Sequence, residues 1–231
     1  MKINLPPALS HFWECMKGQG ETHLVGGAVR DWLLGREVAD FDFATALLPQ
    51  QVRDLGLGPV VRWSPHALSL ALQLSPELTV DVTTFRRDLP PFKNRHPAQV
   101  VPVASFKEDA PRRDYSICAL ALTYEGEVLD FCGGLKDLSS RTLRLIGDPY
   151  TRLQEDSLRA LRGLRFALDL DFEFERPTSE ALSRLTVDAL PLRGHYLVEA
   201  QALWSRFSQA KARWGWSWIE AFEEKIKKHH L

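Results

Sequence analysis

The chain has 231 residues, 45% apolar and 26% charged, with 29 Lys plus Arg against 30 Asp plus Glu for a formal net charge of -1. That length holds one large domain or two small ones with a real core, and the composition is that of a soluble protein, which excludes a disordered chain. No apolar run approaches the roughly 18 residues of a membrane span, and the near-neutral balance argues against a broad basic face for nucleic acid, so any polynucleotide contact is expected to be local.

The first residues, MKINLPPALS, lack the basic start and apolar centre of a signal peptide, and Cys15, Cys118 and Cys132 are too few and scattered to staple a fold. A reducing cytoplasm is the expected compartment. No Cys or His pair falls at zinc spacing; the nearest, His229 and His230, sits in a basic C-terminal tail. From residue 24 the chain reads LVGGAVRDWLLGREVADFDFAT. Gly26-Gly27 leads into Val29, Trp32 and Leu33 at helical spacing, and Gly35 supplies a stop. Asp40, Phe41, Asp42 and Phe43 alternate polar with aromatic, predicting a strand with both aspartates on one face. Ala67 to Leu74 and Leu78 to Thr84 flank Pro76 as a hairpin, and Ile117 to Tyr124 and Val128 to Phe131 form another about Glu125-Gly126. Residues 1–150 therefore read as an α+β unit on a mainly antiparallel sheet of about five strands. From Thr151 to Leu231 the pattern is helical with no further strand, a smaller domain of about four helices with breaks near Arg176-Pro177, Pro191 and Gly215.

Carboxylates two residues apart on a strand point the same way, roughly 7 Å apart, close enough to share divalent cations that prefer oxygen ligands. Asp81, on the polar side of Leu78 to Val82, offers a third acid on a neighbouring strand. Three acids on one sheet face suffice for two magnesium ions acting on a transferring phosphoryl group. Taken alone, the Asp40/Asp42 spacing reads more readily as an exposed face carrying acids for solubility. The glycine pair shifts the balance. Backbone amides at Gly26 and Gly27 can approach phosphate oxygens, with Arg30 one turn on as a cationic clamp, and only one helix separates them from the acids.

This segment resembles the signature of class II tRNA nucleotidyltransferases (CCA-adding enzymes and their CC-adding and A-adding relatives) and bacterial poly(A) polymerases. The resemblance continues in TVDVTTFRRD (79–88), RHP (95–97), RRDYSICAL (112–120) and GDPYTRLQEDSLRALRGLRFALDL (147–170), and covers roughly residues 20–175. It implies a polymerase-β-like nucleotidyltransferase head followed by a small helical neck-like domain. It implies that Asp40 and Asp42 hold two catalytic Mg2+ ions and that Asp81 deprotonates or positions the primer 3′-hydroxyl. Gly27 and Arg30 would hold the triphosphate, and Arg113 and Asp114 would contact the nucleotide, with Asp114 accepting from the ribose 2′-hydroxyl.

Glu155 to Leu168 place Leu158, Leu161, Leu164 and Ala167 on one helical arc and Arg159, Arg162 and Arg165 along the other, which alone describes an amphipathic helix with a solvated arginine face. Asp156 and Arg159 are nonetheless neighbours at i, i+3 and can meet one ligand together. In the family the matching pair hydrogen-bonds the edge of the incoming base. Cytosine and adenine each set an amino donor beside a ring-nitrogen acceptor, complementary to a carboxylate beside a guanidinium, whereas uracil and guanine oppose the carboxylate with a carbonyl. Arg162 and Arg165 would lie toward the phosphates or against the head.

The sequence departs from the family pattern in places. Cys118 stands where Asn is usual, so a local hydrogen bond is expected to be lost. In the segment from Arg86 to Arg95, which matches the family's flexible loop, Leu89, Pro90 and Pro91 replace a glycine-containing part and Lys93 an acidic position, and the prolines should stiffen it. Gly194-His195-Tyr196 and a stretch with Trp204, Trp214, Trp216 and Trp218 replace an ER-rich helix, and core packing is the favoured role for those tryptophans over an interface. A neck-like domain without the family's body and tail domains is the expected organisation. The expected function is a template-independent RNA nucleotidyltransferase using CTP and/or ATP at the tRNA 3′ end. Poly(A) addition, or a nucleotide-binding head subunit or sensor, are the alternatives. A second copy of the chain or a separate RNA-binding subunit is the expected source of further grip on RNA, and no membrane partner is expected.

Overall fold

The computed structural model describes residues 3, 5–93 and 96–228; Arg95 of the RHP motif and the His229-His230 pair lie outside the described residues, as does the side chain of Lys93. The chain divides into two compact units, residues 1–91 with 97–138 and residues 92–96 with 139–231.

In chain order the first unit carries α1 (Pro7–Lys17), β1 (Thr22–Val25), α2 (Gly27–Leu33), β2 (Asp42–Thr45), α3 (Pro49–Asp54), β3 (Val60–Ser64), β4 (Ser69–Ser75) and β5 (Leu78–Thr84). Then follow β6 (Arg86–Lys93), β7 (His96–Pro102), α4 (Phe106–Asp109), β8 (Leu120–Leu122), β9 (Val128–Asp130) and α5 (Gly134–Ser139). Seven strands form one sheet in the order β3-β4-β5-β2-β1-β8-β9. Five of its six neighbouring pairs are antiparallel, the exception being β2 with β5. Both predicted hairpins are present, as β4/β5 and β8/β9. The sheet is wider than the expected five strands because β1 and β3 carry no alternation. All four residues of β1 are buried, and the three central residues of β3 are exposed. Helix α1 buries Leu9, Phe12, Trp13 and Met16 at the i, i+3, i+4, i+7 spacing of a core-facing stripe. Phe12 and Trp13 meet Phe43 of β2 edge-on at 5.1 and 5.3 Å, so this face of β2 is committed to the core.

The segment expected to be a stiffened loop from Arg86 is instead strand β6, which pairs with β7 in a ribbon of two strands. Successive N–H groups of a strand point to opposite edges, so the ribbon's open edge accounts for one of Pro90 and Pro91 but not for both.

The second unit contains β10 (Thr142–Leu143), α6 (Pro149–Glu155), α7 (Leu158–Leu170), β11 (Glu173–Phe174), α8 (Arg176–Ser183), α9 (His195–Leu203), α10 (Phe207–Trp214) and α11 (Ser217–Lys228). Two expectations are corrected here. A strand does follow residue 151, since β11 pairs in parallel with β10, and this pairing draws the unit's start back to Ser139. The described residues form six helices rather than four. One added break falls at Asp156, and Gly215, with a φ of 63°, ends α10 in the left-handed region as expected. Leu158, Leu161, Leu164 and Ala167 are all buried, as their arc predicts. Trp216 and Trp218 are core and stack at 6.1 Å, with Trp214 stacked on Trp216 at 5.7 Å, whereas Trp204 is exposed. Among the described residues no helix is long and apolar enough to cross a membrane.

Candidate active site

Asp42 opens β2, and the parallel pairing sets it directly opposite Asp81 of β5. Residues in register share a sheet face, so the two carboxylates stand side by side on the face opposite Phe43. The alternation read from sequence holds: Phe41 and Phe43 are 7% and 1% exposed, and Asp40 and Asp42 are open to solvent. Asp40, however, lies in the segment that leads into β2 rather than in the strand. Among the described residues no three acids, histidines or cysteines draw together as a metal-ligand group. The structure thus pairs Asp42 with Asp81 and leaves Asp40 outside that pair.

The same register row continues to Ala71 of β4 and Arg62 of β3. Ala71 is small enough for Arg62 to cross it, and Arg62 Nη2 donates to Asp81 Oδ1. Hydrogen bonding to Asp81, then its charge and that of Asp42, holds the Arg62 guanidinium above its usual pKa. Sequence reasoning missed Arg62, because nothing within VVRWS indicates that it lies in line with two acids from other strands.

Gly26, with a φ of 71° that favours glycine, precedes α2 and donates its amide to the Leu120 carbonyl at 3.1 Å. A side chain there would meet Arg113 Nη1 at 3.7 Å, and one at Gly27 would meet Arg30 Nη2 at 3.6 Å. The glycine pair therefore lies against two guanidinium groups. Arg30 grips Asp31 with Nε and Nη2 at 2.9 and 2.7 Å and donates from Nη1 to Cys118 Sγ at 3.5 Å. Burial opposes its charge, but Asp31 and Cys118 outweigh burial and raise its pKa. The bond expected to be lost at Cys118 is thus replaced by a weaker sulfur contact.

Arg113 is organised by a residue that the sequence reading did not single out, Asp109 at the end of α4, whose side chain is 0% exposed. Its Oδ2 accepts from Arg113 Nε and Nη2 at 3.1 and 3.0 Å, and its Oδ1 from Arg112 Nε at 2.7 Å and the Arg86 amide at 3.0 Å. Burial pushes the Asp109 carboxyl up, yet Arg112 and Arg113 followed by that amide hold it below the usual range. Burial, then the charge of Arg112, pushes Arg86 down to about 10. The i, i+3 and i, i+4 spacing from Asp109 to Arg112 and Arg113 was the available signal. Burial also lowers Arg113, while Asp109 and, more weakly, Asp42 support its charge, which ties this cluster to the carboxylate row. Asp114 is half-buried beside it.

In the second unit the continuous helix expected from Glu155 is interrupted. Helix α6 ends at Glu155, Asp156 is extended with φ of -151° and ψ of 97°, and Ser157 precedes α7. Asp156 Oδ1 accepts from the Leu158 amide at 3.1 Å and from the Tyr196 hydroxyl at 3.4 Å. Arg159 is 6% exposed rather than on a solvated face, and its Nη1 donates to the Arg152 carbonyl at 2.5 Å and to Glu155 at 3.4 Å. Arg162 lies over the Phe166 ring at 5.8 Å. Arg165 pairs with Glu199 of α9 at 2.7 Å.

The seven-stranded sheet, its glycine-pair turn against two arginines and its two register-matched aspartates all lie within a stretch that matches a known family. Residues 22–144 match the Poly A polymerase head domain, and the chain belongs to that family. It is 40% identical over 189 residues to the CCA-adding enzyme of Streptococcus suis, covering 79% of this chain and 46% of that one. It is also 40% identical over 163 residues to the CCA-adding enzyme of Enterococcus faecalis, covering 71% and 40%. The chain spans about half the length of the curated relatives it matches. Among solved structures, the Bacillus stearothermophilus CCA-adding enzyme in complex with CTP superposes with a TM-score of 0.70 at 28% identity, over 87% of this chain and 49% of that one.

Proposed function

We propose that this chain is a template-independent RNA nucleotidyltransferase that adds C and/or A to the 3′ end of tRNA. The observation that carries this reading is the placement of Asp42 and Asp81 opposite each other on one sheet face, beside the Gly26-Gly27 turn and its two arginines. The donor set suits hard divalent cations, since neighbouring carboxylates are acceptor-only oxygen ligands. Asp42 and Asp81 would hold Mg2+, which when bound supplies charge neutralisation at the transferring phosphoryl group.

The chain's own groups account for the rest. With the Gly26 amide bonded to the Leu120 carbonyl, it is the side-chain-free backbone at Gly27 that lets triphosphate oxygens approach, and Arg30 and Arg113 supply cationic donors. Asp81 orients the primer 3′-hydroxyl and holds its proton. Asp114 accepts from the ribose 2′-hydroxyl, which selects NTP over dNTP. Asp156 accepts from the amino group of cytosine or adenine, and Arg159 donates to the adjacent ring nitrogen. Arg162 and Arg165 complete the nucleotide-binding set as second-rank contacts behind that pair.

The test is incubation with Mg2+ and tRNAs ending before, within or one residue short of CCA, supplying one labelled NTP at a time. Addition that stops at the completed CCA end supports the reading, and runs of A beyond it assign poly(A) addition instead. No incorporation from any NTP would refute both and leave a nucleotide-binding head that acts with another chain.

A further inference from the structure

Asp156 belongs to neither α6 nor α7, and its extended backbone does not by itself aim its carboxylate. Its Oδ1 accepts from the Leu158 amide at 3.1 Å, which ties it to the start of α7, and from the Tyr196 hydroxyl at 3.4 Å, which comes from α9, forty positions along the chain. We infer that Tyr196 is a specificity-positioning residue, whose phenolic proton holds the Asp156 carboxylate in the orientation that accepts an amino-bearing base and rejects a carbonyl-bearing one. The inference rests on the base-reading role proposed above for Asp156.

The geometry favours a strut over a passing contact. The Tyr196 ring is buried, and a tyrosine has only two side-chain torsions, so its hydroxyl is delivered with little freedom. The same oxygen lies 3.0 Å from Ser157 Oγ, and Ser157 donates to the Ala189 carbonyl in the turn that leads toward α9. Counting protons sharpens the assignment. Ser157 has one hydroxyl proton and directs it to Ala189, so across the 3.0 Å contact its oxygen accepts from Tyr196. The single Tyr196 proton is then shared between Ser157 Oγ and Asp156 Oδ1. The Ser157 contact is the shorter, but an ionised carboxylate draws the proton more strongly, so the shared proton also restrains Asp156. Since the carboxylate discriminates by which base atom it faces, a change in its direction alters the choice of base before it alters the grip on phosphate.

The two hydroxyls therefore make opposite predictions. Tyr196→Phe keeps the ring and removes the proton; Ser157→Ala removes the competitor and leaves that proton wholly to Asp156. Titrating the full chain with CTP, ATP, UTP and inorganic tripolyphosphate reads base preference apart from phosphate affinity. For Tyr196→Phe we expect the CTP:UTP and ATP:UTP affinity ratios to fall about five- to tenfold, the equivalent of one hydrogen bond, with tripolyphosphate affinity unchanged. Ser157→Ala should melt at a lower temperature yet keep the wild-type ratios or sharpen them. Asp156→Ala should abolish the preference. Unchanged ratios in Tyr196→Phe would overturn the inference. So would an equal loss in Ser157→Ala, because the cluster would then act through packing. If Asp156→Ala leaves the ratios intact, the base-reading role itself fails and the inference falls with it; if only Tyr196→Phe is silent, that role stands and the strut alone is wrong.

Discussion

Replacing Asp109 with Asn removes the anion around which three arginines of the first unit are arranged. The Asp109 side chain is 0% exposed and accepts four hydrogen bonds, from Arg112, twice from Arg113 and from the Arg86 amide. An asparagine keeps one acceptor oxygen but turns an NH2 donor toward guanidinium donors, and Asp88, 3.1 Å from Arg86 Nε, is too little counter-charge for the cluster. Arg86 already stands at about 10 because of burial and the charges of Arg112 and Arg113, so its charge is costly even with Asp109 in place. Breaking a buried ion pair by removing one partner costs about 3–5 kcal/mol. With a urea slope of about 2 kcal/mol/M, the midpoint should fall by about 1.5–2.5 M. Urea titration of wild type and Asp109→Asn, followed by circular dichroism, measures this, and a shift under about 0.5 M would refute the hub role. The sign of the pH dependence is also fixed. The folded pKa of Asp109 lies below its ordinary 3.8, so its stabilisation is complete above the unfolded value and is lost as pH falls through the folded one. The gap between the two proteins should therefore be full at neutral pH and begin to narrow below about pH 4, by about 1.4 kcal/mol per pH unit until the folded pKa is passed. A gap that stays constant from about pH 5 to pH 2 would mean that the carboxylate charge is not what the arginines need.

Two further outcomes follow from the carboxylate row. Asp42→Ala should lower nucleotide incorporation by about a thousandfold or more with an unchanged urea midpoint, because Asp42 faces solvent and its loss leaves the Phe43 contacts intact; a near-normal rate would remove Asp42 from the metal-binding pair. Arg62→Ala removes the cation that faces Asp81, and Mn2+ binding followed by electron paramagnetic resonance should tighten about two- to fivefold. The effect is modest because Arg62 and Asp81 are 63% and 42% exposed and water screens them. Weaker Mn2+ binding would show instead that Arg62 holds Asp81 in its metal-ready position.

The parts of this molecule that sequence exposed are those carried by local period. Phe41 and Phe43 announce which side of β2 is core and hence where Asp42 points, and the leucines of α7 announce its buried arc. Helix α1 carries the same period in Leu9, Phe12, Trp13 and Met16, but it was not read from the sequence. Elements that are buried throughout, like β1, or exposed through their centre, like β3, offer no period and were invisible. Asp156-Ser157 combines two residue types that favour helix starts, a cue for the break there that an arginine and leucine periodicity running straight through it obscured.

What no local pattern contains is pairing. Asp42 faces Asp81 only because β5 inserts parallel to β2, and Arg62 joins them only because β3 and β4 continue the row. Once that pairing exists, the core determines its register. Val80 and Val82 flank Asp81 and are buried, as is Phe43 beside Asp42, so a slip of one residue would turn Asp81 into the core and expose both valines. The proximity of the two carboxylates is thus maintained by apolar neighbours that never touch a substrate. A polar substitution at Val82 should therefore loosen the site through the sheet, with metal affinity and urea midpoint falling together, whereas Asp42→Ala separates the two.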